Sequence, residues 1–325
     1  MNRCLNRGAE AVKAFLKSEA GVGRESVAET APSTRVLVAT VAENRSPFVH
    51  EVEFLFRSLR RFGGNVSHAS GLVCFVGSAD PAAVERLADL GVETEVVEPF
   101  DERCSHANKI RMLETAQDFE YLVALDPDIV VARDFSAHIM GAAVAAKPVD
   151  DERLTLEQWE ELFARFGLAL PPARYTASFT MAETIPYFNS GVLVVPREHV
   201  QPLAEAWGLF VRKLLATTAE KPSAYEHHLF RRSDQFALAL ALAEAKVPFR
   251  ALPLEMNFPT HHAIHPALEP DQVNPYLIHH HHRVSRTGEV LPCSYATVDA
   301  AVAAINRHLQ ETESAFHNRR PSPLA

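Results

Sequence analysis

Two aspartates separated by one residue, Asp126 and Asp128, interrupt an otherwise apolar run from Tyr121 to Val131. With Pro127 restraining the turn between them, both carboxylates can face one hard divalent cation, and a cation so held can also hold a diphosphate. The spacing carries little by itself, because Asp-x-Asp arises readily by accident in a chain of this aspartate content. The placement carries more. Tyr121-Leu122-Val123-Ala124-Leu125 precedes the pair and Ile129-Val130-Val131 follows it, so the acids sit where burial without a partner is costly, and a metal is the simplest partner.

Imidazoles supply the second concentration of chemistry. His279, His280, His281 and His282 are consecutive and interior to the chain. On a strand His279 and His281 would share one face and His280 and His282 the other, so at most one pair could reach the same ion. His279, directly after Leu277-Ile278, is the preferred ligand and His281 its competitor. His261, His262 and His265 form another group. A helix would let H-x-x-x-H bind zinc, but Pro259 and Pro266 bracket a segment better read as a polar loop near an acceptor. Gly21-Val22-Gly23 is not a dinucleotide loop, since no strand precedes it and Ser26 replaces the third glycine. No P-loop, G-x-S-x-G or H-E-x-x-H motif occurs.

The elements that must position these groups alternate. Val36 to Val41 reads as a buried strand. Ser46-Pro47 offers a cap and first-turn proline for a helix with Phe48, Val52, Leu55 and Leu59 inward, ended at Gly63-Gly64. Leu72 to Val76 is a second strand, followed by a helix capped by Asp80-Pro81. Val92 to Val97 is a third strand, Ala107 to Ala116 a third helix, and Tyr121 to Leu125 a fourth strand. Repeated β-α units with continuous apolar strands predict an α/β fold with a mostly parallel central sheet flanked by helices. Ligands of such sheets bind outside the carboxyl ends of the strands, where Asp126 and Asp128 fall. The second half is less regular. Pro148 to Ala182 reads as an insertion with a helix around Trp159, Gly191 to Val195 as a strand, and Val200 to Leu215 as a helix; further helices follow Ser233 and Val298. Residues 1–33 read as a flexible arm, 34–317 as one domain with a donor-binding half (about 34–135) and an acceptor-side half (about 136–317), and 318–325 as a tail.

Composition narrows the classes. The 325 residues are 47% hydrophobic and 22% charged, which is ordinary for a globular chain. A net charge of -9 and a pI near 6.0 argue against a nucleic-acid partner. Four scattered cysteines without a C-x-x-C pair read as reduced thiols. Nowhere do 18 apolar residues run together, and no signal-like segment follows the N-terminus, so neither membrane spanning nor secretion is expected and a cytoplasmic location is.

Five short motifs, taken in order, resemble a known family. Leu125-Asp126-Pro127-Asp128-Ile129-Val130-Val131 followed by Asp134 resembles the metal-binding D-x-D segment of A-type-fold, nucleotide-diphospho-sugar glycosyltransferases with a Rossmann-like sheet. The nearest group is glycosyltransferase family 8, the glycogenin and bacterial galactosyltransferase group. Tyr187-Phe188-Asn189-Ser190-Gly191-Val192-Leu193-Val194 resembles its "FNAG" strand start. Ser233-Asp234-Gln235 resembles its "DQ" helix start, Leu252-Pro253 through Asn257 its "LP…N" segment, and Ile278-His279 its terminal metal histidine. The likeness spans roughly Arg35 to Val284.

That resemblance implies a metal-dependent glycosyltransferase using a nucleoside-diphosphate sugar, a UDP-sugar being the first expectation, with an unspecified acceptor and retention of configuration. Asp126, Asp128 and His279 would bind Mn²⁺ or Mg²⁺, with Asp126 also near the ribose. Lys109 would steady the donor, unless it is simply a solvated lysine on an amphipathic helix. Asn189, Ser190 and Gly191 would line the sugar side, and Asp234 and Gln235 would be the catalytic positions, although Ser233 or Asp234 could serve only as a helix cap. Thr40 and Ala42 fall where the family binds the base, but Ala42-Glu43-Asn44 departs from its pattern. The lysine-proline-tryptophan segment after the histidine is also missing, and Arg283 or Arg286 is the available substitute cation. Two rivals stay open: a sugar nucleotidyltransferase, against which the absence of a glycine-rich basic loop after the first strand speaks, and a non-catalytic nucleotide-sugar-binding protein. Homo-oligomerisation is left open.

Overall fold

The computed structural model describes residues 34–218 and 224–319. The expected arm (1–33) and most of the expected tail lie outside them. The first half forms as β-α repeats. β1 (Val36–Glu43) leads to α1 (Phe48–Phe62), β2 (Ser70–Val76) to α2 (Pro81–Asp89), and β3 (Val92–Val97) through a 3-10 segment (Ser105–Glu114) to β4 (Tyr121–Leu125). Then come β5 (Ile129–Val131), β6 (Val144–Pro148), α3 (Leu156–Arg165), β7 (Tyr175–Thr176), β8 (Glu183–Thr184), β9 (Phe188–Pro196), α4 (Arg197–Thr218), α5 (Ala224–Arg231) and α6 (Ser233–Glu244). β10 (Phe249–Ala251), β11 (Phe258–Pro259), β12 (Leu277–His279) and α7 (Ala296–Arg319) complete the described chain.

Seven strands form the main sheet in the order β10-β6-β9-β4-β1-β2-β3. All neighbours are parallel except β9, which runs antiparallel to both β4 and β6. Alternate side chains of β1 enter different cores, as period-two geometry requires. Leu37, Ala39 and Val41 join Trp159, Trp207 and the apolar face of α6, whereas Val38 and Ala42 join the inward residues of α1 and α2. A smaller sheet, β11-β12-β5, is covered through Val298, Val302, Ile305 and Leu309 of α7. No described helix is long and apolar enough to cross a membrane.

Local signals explain most boundaries. Asp80 accepts a hydrogen bond from Ala82 N with Pro81 in the first turn, and Thr155 with Gln158 forms a reciprocal capping box on α3. Three expectations are corrected. Ser46 is not the cap of α1: Pro47 holds that position, without a side-chain bond. The segment expected as a third helix winds as 3-10 turns. Its start has no side-chain cap, and its polar residues are drawn elsewhere, Asn108 Oδ1 to Phe100 N (2.8 Å) and Lys109 Nζ to Asp126 Oδ2 (2.8 Å). β9 begins at Phe188, so Asn189 and Ser190 lie on the strand and not before it.

Candidate functional site

Strand register places the chemistry. In the large sheet Leu125 pairs with Val192, and Asp126 N extends the ladder by donating to Gly191 O at 2.8 Å. In the small sheet Ile129 pairs with His279, and His280 N donates to Asp128 O at 2.9 Å. The chain thus leaves one sheet at Asp126 and enters the other after Asp128. One carboxylate is carried to Gly191 and the other to the histidine run.

His279 Nε2 lies 3.2 Å from Asp128 Oδ1 and 3.8 Å from Asp126 Oδ2. Its Nδ1 sits 3.0 Å from Asn257 Oδ1, a contact that orients the ring and leaves Nε2 to the carboxylates. His281 stacks on His279 with ring centroids 3.8 Å apart and planes 16° apart. Ligand atoms of Asp128, His279 and His281 all fall within 4.8 Å of one another. Asp126 Oδ1 and His281 Nε2 are buried without hydrogen-bond partners. The converging carboxylate oxygens and imidazole nitrogens of Asp128, His279 and His281, with a buried unsatisfied atom on His281 and another on the neighbouring Asp126, are a donor set that fits a divalent transition ion, with Mg²⁺ less suited because it favours oxygen. Gly191 makes the approach feasible, since a Cβ there would lie 2.7 Å from His279 Cε1 and 2.8 Å from Asp126 Oδ2.

The electrostatics follow this geometry. Burial would raise the Asp128 carboxyl, but the adjacent His279 prevails and holds it well below the usual range. Burial pulls His279 down, and Asp128 more than restores it. Burial, reinforced by His279 and His261, pushes His281 far down and keeps it neutral. Ion binding there would exchange the His279 proton for metal charge.

Beside this centre runs a buried polar chain. Lys109 Nζ donates to Asp126 Oδ2 (2.8 Å) and to Ser190 Oγ (3.0 Å), and Ser190 Oγ donates to Asp234 Oδ2 (2.8 Å). Lys109 also lies 3.7 Å from Asp234 Oδ2. Burial disfavours its charge, but Asp126 and Asp234 outweigh that and leave the ammonium raised. Lys109 is therefore buried counter-charge, not a solvated helix residue. Asp234 is not a cap either: Arg232 takes the cap position of α6, and the Asp234 carboxylate points to Ser190 and Lys109. Trp207 Nε1 pins Asp234 O at 2.7 Å. Next to it, Gln235 Oε1 accepts from Tyr187 Oη at 3.3 Å, and Tyr187 is stacked on Phe236 at 5.1 Å and held against Trp159.

These groups open on a cleft of about 660 Å³ lined by Ala42, Lys109, Asp126, Asp128, Asn189, Asp234, Gln235, His279 and His281, among others. Thr40 is fully buried with its hydroxyl unpartnered, and it does not line the cleft. Arg283 is corrected: its guanidinium donates to the carbonyls of Thr260 and Pro292 (2.9 Å), so it is tied away from the cleft. The histidine run also departs from simple alternation. The strand ends at His279, and His281 and His282 take positive φ (50° and 57°), which turns both rings back toward the centre. His261 joins them, its ring centroid 3.7 Å from that of His281, while His265 caps a short turn at Ala267 N.

Sequence reasoning missed Glu51. It is fully buried on α1, and both its oxygens lie 2.9 Å from His282 Nδ1, while His282 Nε2 lies 3.8 Å from Asp128. The bond to Glu51 pushes His282 up to about 9, whereas burial raises Glu51 itself. The available signal was an acid on the inward face set by Phe48, Val52 and Leu55. Asn257 was visible only as part of a motif, and Asp150, held by Lys147 (2.5 Å) and Ser178 (2.6 Å), carried no sequence signal.

The sequence profile of the Rhodobacterales glycosyltransferase domain matches residues 50–246, which is more than half of the chain. The chain belongs to that glycosyltransferase family. The matched span holds Asp126, Asp128, Asn189 to Gly191, Asp234 and Gln235, and it ends before His279. No curated protein matches in sequence. Among solved structures, the galactosyltransferase LgtC in complex with donor and acceptor sugar analogs superposes with a TM-score of 0.52 at 14% identity, covering 83% of this chain and 95% of that one. An active-site mutant of LgtC gives 0.51 at 11% identity, covering 82% and 95%. Mouse xyloside xylosyltransferase 1 in its apo form gives 0.46 at 14% identity, covering 76% and 96%. The LgtC matches show a shared fold: the family's domain here is an A-type glycosyltransferase sheet flanked by helices.

Proposed function

We propose that this glycosyltransferase is metal-dependent and transfers a sugar from a nucleoside-diphosphate donor, a UDP-sugar first, to an acceptor hydroxyl with retention of configuration. The observation that carries the reading is the convergence of Asp126, Asp128, His279 and His281 at the meeting of two sheets, beside the Lys109–Asp234 chain. Asp128, His279 and His281 would hold Mn²⁺, with Asp126 completing the set. When bound, the ion supplies positive charge for the departing diphosphate.

The remaining roles belong to the chain itself. Val41, Ala42, Glu43 and Phe48 form the wall at the carboxyl end of β1, where the nucleoside would lie. Lys109 holds Asp126 in place and is itself fixed by Asp234, so Asp234 acts by positioning and is not free to attack a sugar carbon. Gln235, half-exposed in the cleft and oriented by Tyr187, faces the sugar; an amide is neither nucleophile nor base, which favours attack by the acceptor on the face that the diphosphate leaves. In that step the bond from the anomeric carbon to the diphosphate oxygen breaks, the acceptor oxygen bonds to the same carbon, and the hydroxyl proton passes to the departing diphosphate. The test is hydrolysis and transfer from a panel of UDP-, GDP- and ADP-sugars with Mn²⁺ and with EDTA. Activity that survives EDTA, or that is unaltered in Asp128→Ala, would refute the metal-dependent reading.

A further inference from the structure

The cleft is electrically lopsided. Strand order lets its walls be assigned to sides of the Asp126–Asp128 centre, because β1 and β2 lie on one side of β4 and β9 and β6 on the other. The β1–β2 wall carries Val41, Ala42, Val76 and Phe48 with one acid, Glu43, and the imidazole of His282, which lies against Phe48 and is already paired to Glu51. The opposite wall carries Arg153 after β6, and the corner between α5 and α6 adds Arg231 and Arg232, preceded by His227 and His228.

The acids on that second wall are already matched. Asp150 is held by Lys147 at 2.5 Å, and Asp151 pairs with Arg153 at 3.2 Å. Arg231 and Arg232 are exposed, and neither side chain makes an ion pair or hydrogen bond among the described residues. Arg232 lines the same cleft as Tyr187 and His261. Two adjacent guanidiniums repel each other, and a chain with net charge -9 has acids in excess to pair with them. Their place on a concave wall, across the centre from the nucleoside side, suits an oxyanion arriving from solvent, since guanidinium forks recognise carboxylate and phosphate bidentately.

Resting on the glycosyltransferase reading, we propose that the acceptor is an anionic glycan, one that bears a carboxylate or phosphate bound by Arg231 and Arg232. The probes are p-nitrophenyl glucuronide, p-nitrophenyl glucoside 6-phosphate and uncharged p-nitrophenyl glucoside. They are titrated into the full chain saturated with Mn²⁺ and whichever of UDP, GDP or ADP most raises its melting temperature. At least one charged probe should bind roughly ten-fold or more tightly than the uncharged one. A preference for the uronate or for the phosphate names the source of the anion. Arg231→Gln with Arg232→Gln should abolish the preference and leave nucleotide affinity and melting temperature unchanged. Equal or absent binding of all three probes overturns the proposal, as does a double variant whose defect lies in nucleotide affinity, which would assign the arginines to the diphosphate. A protein that binds no nucleotide with Mn²⁺ fails before any probe is added, and that result counts against the transferase reading itself.

Discussion

Gly191→Ala tests the metal centre through a single methyl group. The new Cβ would lie 2.7 Å from His279 Cε1, 2.8 Å from Asp126 Oδ2 and 2.9 Å from Asn189 Oδ1. Ordinary carbon contacts begin near ~3.5 Å, so the methyl lacks about 0.8 Å against the imidazole. The backbone cannot retreat, because Gly191 O accepts from Asp126 N at 2.8 Å and Gly191 N donates to Asn189 Oδ1 at 2.8 Å. Nor does the glycine use a conformation closed to alanine, being an ordinary residue of β9. His279 and Asp126 must therefore move. Ligand distances tolerate about 0.2 Å, roughly a quarter of that displacement, and overpacking of this kind costs about 1–3 kcal/mol. We expect Mn²⁺ affinity, read from the EPR signal of free ion, to fall at least ~10-fold, and kcat/KM to fall about 100-fold. Gly208→Ala is the control: its Cβ would meet Phe100 Cζ at 2.9 Å, away from the cleft, so it should lower the melting temperature without weakening Mn²⁺. Wild-type Mn²⁺ affinity in Gly191→Ala would refute the reasoning.

Three further outcomes are expected. Lys109→Met strips the buried counter-charge from Asp126 and Asp234, so urea unfolding in EDTA should show a loss of about 3–5 kcal/mol, partly recovered by adding Asp234→Asn; no loss would mean that the pair is not charged as described. Asn257→Ala should weaken Mn²⁺ by roughly 10–100-fold with circular dichroism unchanged, because His279 loses its orienting contact; undiminished affinity would remove Asn257 from the site. Burial pushes the Cys74 thiol from its usual value near 9 up to about 12. Folded protein should thus resist thiol reagents at this residue at pH 8. Because the folded value is the higher one, the contribution to stability is complete below the unfolded thiol value and is lost as pH rises from about 9 toward 12, at up to ~1.4 kcal/mol per pH unit. Cys74→Ala should flatten that alkaline limb, and an unchanged slope would assign it to other groups.

The alternating β-α half was legible because its signals are local. Aliphatic runs buried on both faces specify strands such as β1 and β2, and Asp80-Pro81 starts a helix from within one turn. The 3-10 segment was not, since its winding answers to Asn108 and Lys109 side chains bonding across the fold. Arg283 was misplaced for a related reason. Proximity in sequence to His279 suggested the cleft, but positive φ at His281 and His282 turns the chain, and the carbonyls of Thr260 and Pro292 take the guanidinium.

By itself the sequence determined which residue types carry the chemistry and that Asp126 and Asp128 stand at the end of a buried strand, because strand polarity and apolar patterning are one-dimensional properties. Only the tertiary structure decided their partners. The antiparallel register of β9 brings Gly191 to Asp126 and Ser190 to its counter-charge Lys109, and that of β12 brings His279 to Asp128. A one-residue slip in either ladder would turn those side chains to the opposite face, and nothing in the spacing of Asp126-Pro127-Asp128 records which register the distant strands adopt. The same packing changed the roles of two residues read as ambiguous: Lys109 became a buried counter-charge, and Asp234 its partner and not a cap.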